Sequence, residues 1–400
     1  MTGHGGRHFL QIPGPTNVPD RVLRALSAPT IDHRGPEFAA LAADLLERLP
    51  LIFRTRGPVL VYPSSGTGAW EAALVNTLSP GDRVLAFETG HFATLWRGLA
   101  EKLGLAVEFV PGDWRHGVDP DAVRERLATD RAGAGAIRAV CVVHNETSTG
   151  VCSRVAEVRA AMDATGHDAL LLVDTISSLG SIDFRHDEWG VDVTVGCSQK
   201  GLMLPPGLGF NAVSEKALAA ARAAGLPRSY WDWGPILAAN ADGGWPYTPP
   251  TNLLYGLREA LDLLLEEGLD EVFARHARHA EATRRAVRAW ELELVPLDDR
   301  EHSASLTAVL VPDGYDADEV RRVILDRYDV SLGAGLGRLA GRVFRIGHLG
   351  DLNDVWLAGA VAGVEMGLAN TGIPFRPGGV QAAIDHLAET AGAPAGAAAG

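Results

Sequence analysis

Lys200 stands in GCSQKGLMLPPG, directly after the apolar run VDVTVGC and at a turn of small residues. Taken alone it reads as a strand-end lysine snorkelling to solvent. Held at the end of a buried strand, however, its amine loses proton affinity by desolvation and can condense with a carbonyl. Asp174 changes the weighting, because ALLLVD places a carboxylate at the C-terminal end of an apolar strand with no other charge in the five residues before it. Such a group needs a partner, whether as a helix N-cap, in a structural ion pair or on a ligand. A pyridinium nitrogen is one such ligand: an imine-forming lysine and a carboxylate that keeps the ring nitrogen protonated serve the two ends of pyridoxal 5′-phosphate (PLP). Strand ends in an open α/β sheet converge on one crevice, so both side chains would reach one ring.

Other segments supply the remaining parts of such a site. In SSGTG, Ser64 to Gly68, small residues let backbone N–H groups approach an anion at a helix start, although a plain tight turn has the same composition. The segment carries neither a GK[ST] ending nor GxGxxG, which disfavours nucleotide binding. His91 and Phe92 follow an apolar strand, where an aromatic face would stack on a flat cofactor or pack into the core. HNETSTG, His144 to Gly150, offers the hydroxyls of Thr147, Ser148 and Thr149 to a ring oxygen, or forms a capped loop. Arg345 in VFRIGHLG sits in an apolar strand, where a guanidinium demands a carboxylate, and is the candidate for the substrate's α-carboxylate. GAGLG, Gly333 to Gly337, lacks the preceding strand and βαβ context of a dinucleotide site, and His276 and His279 lie on an Arg-rich helix; these are read as loop and surface.

The elements that must position these residues follow from the apolar pattern. VLVYPSSGTGAWEAALVNTL reads as strand, glycine turn and helix, and RVLAFE, VEFVPG, AVCVVHNE, ALLLVD and VDVTVGCSQ read as buried strands. Helices are expected over Asp119–Leu127 and Val155–Thr165. The alternation implies an α/β domain with a mostly parallel sheet. After Pro250 two long helices are expected, broken at Gly268, then a smaller α+β domain with a final helix from Asp351. The expected division is an N-terminal arm over 1–20, a large domain over 21–270, a small domain over 271–390 and a mobile tail over 391–400.

Composition narrows the function classes. Four hundred residues exceed one compact core. The chain has 36 Lys and Arg against 50 Asp and Glu, a net charge of −14, which makes a nucleic-acid partner unexpected. No stretch approaches the ~20 apolar residues of a membrane span, no secretory signal opens the chain, and a cytoplasmic protein is expected. Cys141, Cys152 and Cys197 form no CxxC pair, so neither a disulfide framework nor a metal site is expected.

Together IPGPTNVP, SSGTGAWE, HNETSTGV, VDTISSLGS, GCSQKGLMLPPG, PYTPP and FRIGHLG resemble the class V aminotransferases of PLP fold type I, and more narrowly the serine–glyoxylate and alanine–glyoxylate enzymes. The resemblance runs in order from about Phe9 to Gly367 and implies the type I fold, a large domain with a sheet of the seven-stranded type and a smaller C-terminal domain. It assigns Lys200 to the Schiff base, Asp174 to the pyridine nitrogen, Phe92 to the ring face and Thr147 to the ring oxygen. Thr67, Gly68 and Gln199 would hold the phosphate, with Thr248 reaching the neighbouring subunit's phosphate across a homodimer with shared sites. Arg345 would bind the substrate carboxylate, and Gly14 would line the pocket. His33 and Arg34 are further candidates, and Trp245 and Tyr247 compete for one family position. The implied reaction moves an amino group from serine, or from aspartate or alanine, to glyoxylate, giving glycine. A cysteine desulfurase is disfavoured because every cysteine precedes Lys200. A non-catalytic PLP-binding regulator is the alternative of a different class.

Overall fold

In the computed structural model, which describes residues 5–130, 133 and 135–392, runs of β-branched and aliphatic residues form a seven-stranded sheet. Its order is Val59–Ser64, Gly207–Val213, Val193–Cys197, Leu170–Asp174, Ile137–Val143, Arg83–Phe87, Ala106–Val110. Gly207–Val213 runs antiparallel to both neighbours, and the other adjacent pairs are parallel. Period-two alternation buries both faces. Leu170 and Leu172 pack on one side with the helix Gly66–Thr77, and Leu171 and Val173 on the other with Val155–Thr165. Val143, Asp174 and Val195 lie side by side in the register. The C-terminal strand ends are thereby level, and the loops that follow them share one edge.

Gly268, at φ +86°, breaks the helical run after Pro250 into Thr251–Glu267 and Leu269–Ala289. Beyond it lies a second sheet ordered Phe9–Gln11, Val330–Ala334, Val343–Gly347, Leu306–Leu310, Glu293–Leu294. Phe9–Gln11, within the expected arm, pairs parallel with Val330, Ser331 and Leu332. The α/β class, the mostly parallel sheet and the two long helices are as the sequence indicated.

Three expectations are corrected. The final helix is two, Asp354–Leu368 and Gly379–Glu389. Asn353 caps the first at Trp356 N, and Pro374 and Pro377 between them cannot supply helical N–H donors. His276 and His279 are buried rather than at the surface. His276 accepts from Gly350 N at 3.0 Å and donates through Nδ1 to Val272 O, while His279 Nε2 lies 2.9 Å from Asp354 Oδ1. The apolar positions flanking them on Leu269–Ala289 turn that stripe inward. GAGLG does begin in a strand, Gly333 and Ala334 being the last two residues of Val330–Ala334, but leads into the short 3₁₀ turn Gly337–Leu339 and not a βαβ helix. Residues 393–400 of the expected tail lie outside the described residues.

Candidate functional site

Leu170–Asp174 and Val193–Cys197 are adjacent parallel strands, so Asp174 and the Cys197–Lys200 turn emerge at the same edge. The Lys200 amine donates to the carbonyl of Pro13, in the IPGPTN segment that crosses from the small sheet. Desolvation pulls that amine down from 10.5 to about 8; Arg345's charge acts in the same direction and Asp174's against it. Burial pushes the Asp174 carboxyl up to about 7, aided by the charge of Glu146, although Ile176 N–H, the Trp70 indole and Lys200 favour the anion. The two groups therefore sense one another's charge within one desolvated region.

Arg345 is 7% exposed and makes no ion pair among the described residues. It donates from Nε to Ala334 O at 2.8 Å and from Nη1 to Thr147 O at 2.6 Å. Burial lowers its guanidinium to about 10, opposed by Glu146. No carboxylate among the described residues pairs with it, and two carbonyls hold the fork in place.

Gly66–Thr77 begins with Ser65, whose side chain makes no capping bond, so the first N–H groups of the helix have no intrahelical acceptor. A Cβ at Gly68 would come within 2.1 Å of Ser64 Oγ and 2.8 Å of Trp231 Cη2, so only glycine fits that approach. Thr67 is exposed beside it. Gln199 Oε1 is buried without a partner. Thr147 donates its hydroxyl to Ser177 Oγ at 2.8 Å. Phe92 is half-buried, and its amide donates to Glu146 Oε1. Gly14, at φ +93°, leaves so little room that a Cβ would lie 2.3 Å from Lys200 Cδ.

Lys200, Asp174, Arg345, Thr147 and Gly14 are thus tied to one crevice by contacts or charge coupling, with the Gly66 turn reaching it through Ile176, 2.3 Å from where a Gly66 Cβ would stand. Thr248 is exposed and makes no side-chain bond among the described residues, while Trp245 donates to Val61 O at 3.2 Å. Tyr247 stacks on Tyr230 with centroids 4.3 Å apart, its hydroxyl buried and unpartnered. His33 Nε2 is likewise unpartnered, and Arg34 is exposed.

Sequence reasoning missed two residues. Trp70 donates to Asp174 Oδ2 at 3.0 Å, and Glu146, fully buried, accepts from the amides of Phe92, Ala93 and Ser148. The lone Glu in an otherwise neutral stretch, TSTGV following it, was the available signal for Glu146; Trp70 offered none. A lysine of lowered proton affinity, a buried carboxylate and helix-start amides without a side-chain cap suit the aldehyde, ring nitrogen and phosphate of PLP.

Comparison with known proteins agrees with this donor set. The model of the family "Aminotransferase class-V" matches residues 8–340. The chain belongs to the class V aminotransferases. Among relatives of this aminotransferase, a serine–glyoxylate aminotransferase of Methylorubrum extorquens is 49% identical over 97% of this chain and 98% of its own. An L-aspartate–glyoxylate aminotransferase of Paracoccus denitrificans is 46% identical over 96% of each. The crystal structure of the pyridoxamine–pyruvate aminotransferase from Mesorhizobium loti superposes with a TM-score of 0.90 at 29% identity, covering 98% of this aminotransferase and 100% of that chain.

Proposed function

We propose that the chain is a PLP-dependent transaminase that moves the amino group of a small L-amino acid, serine in preference, to glyoxylate, releasing glycine and the 2-oxoacid. The observation that carries this reading is the grouping of Asp174 and Arg345 around Lys200: a desolvated amine that senses the charge of a buried carboxylate at the edge of the large sheet and of a buried guanidinium on the small sheet, the latter without an ion pair among the described residues. The serine–glyoxylate relative at 49% identity supports serine as donor, and the aspartate–glyoxylate relative at 46% keeps aspartate as the second reading. Alanine would use the same framework.

Bound here, PLP would supply an electron sink for the carbon that loses its proton. Arg345 orients the substrate carboxylate by a fork that Ala334 O and Thr147 O hold still. Lys200, its amine lowered to about 8, would serve as the base for the Cα proton and carry that proton as an acid afterwards. Asp174 would keep the ring nitrogen protonated, and Phe92 would cover the ring face against water. Thr67, Gly68 and Gln199 would take the phosphate, and the Thr147 hydroxyl the ring oxygen.

The exposed Thr248 and the unpartnered Tyr247 hydroxyl fit a homodimer in which each subunit completes the other's phosphate site. No helix among the described residues is long and apolar enough to cross a membrane, and three buried free thiols accord with the reducing cytoplasm as the place of action. Mixing the protein loaded with pyridoxal 5′-phosphate with serine, alanine or aspartate in turn tests the donor. The efficient donor bleaches the imine band, and glyoxylate restores it. A protein that binds PLP yet responds to none of the three would be a regulator and not a transaminase.

A further inference from the structure

Asp174 uses one lone pair on each oxygen. Oδ1 accepts the amide of Ile176 at 2.7 Å and Oδ2 accepts the indole N–H of Trp70 at 3.0 Å. The Ile176 bond spans two residues of one turn, so it travels with Asp174 and cannot fix the carboxylate against the rest of the site. The Trp70 bond reaches across 104 residues to a different element. Trp70 lies one turn into Gly66–Thr77, whose first residues form the glycine turn. Its buried ring stacks on Trp96, centroids 5.8 Å apart and planes at 12°. Trp96 in turn stands four residues after Phe92 on the helix His91–Lys102, on the same face. One indole therefore touches the carboxylate, the helix of the anion-binding turn and the helix that carries the aromatic stacker.

We propose that Trp70 is a positioning residue: its indole N–H locks the Asp174 carboxylate plane to the phosphate-turn helix, so that a cofactor anchored by its phosphate meets a carboxylate already aimed at its ring nitrogen. The inference rests on the PLP reading above. Removing the bond leaves Asp174 free to rotate and its charge less well compensated, which weakens the grip on the ring without touching Lys200 or Arg345.

The test titrates cofactor-free protein with pyridoxal 5′-phosphate, followed at the imine absorbance, for wild type, Trp70→Phe, Asp174→Asn and the double variant, with thermal midpoints to verify folding. Trp70→Phe should retain PLP about ten-fold less tightly, the size expected for one hydrogen bond to a charge, and should add nothing in the Asp174→Asn background. Trp96→Phe, which removes the stacked indole but no bond to Asp174, should bind as wild type. In half-reactions with serine, the rate constant should fall in Trp70→Phe while the serine KM holds. Trp70→His, which keeps a ring N–H, is the second variant should the phenylalanine protein not fold, and retention above that of Trp70→Leu is its expected result. Equal affinity in wild type and Trp70→Phe, fully independent effects of positions 70 and 174, or equal retention in Trp70→His and Trp70→Leu would overturn the inference while leaving the aminotransferase reading in place. A wild-type protein that takes up no PLP would remove both.

Discussion

Arg345, on the central strand of the small sheet, donates its Nη1–H to the carbonyl oxygen of Thr147, in the loop that leaves the large sheet, at 2.6 Å. The group proposed to hold the substrate carboxylate is thereby held by the residue proposed to contact the cofactor ring, and the two parts of the site keep one spacing.

Arg345→Ala should therefore raise the KM for the amino donor about 100-fold, as expected when a charge-assisted fork is lost. The imine spectrum should persist, because Lys200 and Asp174 are untouched. Loss of the cofactor with donor affinity unchanged would contradict the assignment.

Lys200→Ala should abolish the imine band and lower turnover by about three orders of magnitude or more, the scale of a lost acid–base group. Wild-type turnover in that variant would end the proposal.

The lowered proton affinity of Lys200 sets a pH profile. An amine near 8 becomes neutral, and so nucleophilic, as pH rises through about 8, whereas an ordinary lysine waits until about 10.5. The rate of imine formation by cofactor-free protein should rise between about pH 7 and pH 9 and then level off. A rate still climbing ten-fold per unit at pH 10 would show that the amine is not desolvated.

Gly14→Ala sets a Cβ 2.3 Å from Lys200 Cδ and 2.6 Å from Nζ, at a φ of +93° that L side chains rarely adopt. Steady-state assays should show at least a ten-fold loss of kcat, since misplacing the reacting amine by even ~1 Å is costly. Full activity would show that the IPGPTN segment yields freely.

Acid should destabilise the fold through buried imidazoles. Burial holds His144 and His279 near 4, His348 near 3 and His276 well below 6.5, although Asp354 beside His279 partly opposes this. Depressed folded values mean that the unfolded chain binds more protons below about pH 6.5, so stability is full above that pH and is lost as it falls towards 4. Each such group contributes about 1.4 kcal/mol per pH unit in that window. Cofactor-free Asp174, raised to about 7, acts in the opposite direction between about pH 4 and 7. The thermal midpoint should fall on going from pH 7 to pH 5, and His276→Gln should reduce the slope; a flat profile would refute the burial argument.

Asp174 and Arg345 stood out in the sequence because a charge in an apolar strand contradicts its surroundings, and Lys200 because it follows such a strand at a turn of small residues. Gly268 was legible as a glycine inside a helical period. The bond from Trp70 was not, since its acceptor lies 104 residues away and a tryptophan on a helix looks like core. Burial of His276 and His279 was hidden by the arginines around them: Arg275 and Arg278 extend their heads to Glu267 and Asp354 while the imidazoles turn inward. The crevice's glycine contacts were equally invisible, because they depend on which distant side chain arrives beside each one.

Phe9–Gln11 pairs with Val330–Leu332, and the residues just after it cover Lys200. Phe9–Gln11 therefore has no docking place until some 320 residues more have followed it. Every strand of the seven-stranded sheet precedes Val330 in the chain, but the reactive amine gains its cover only when Val330–Leu332 is in place. A chain stopped short of the second sheet would carry its lysine uncovered, so the reactive amine has its full surroundings only once both sheets are present.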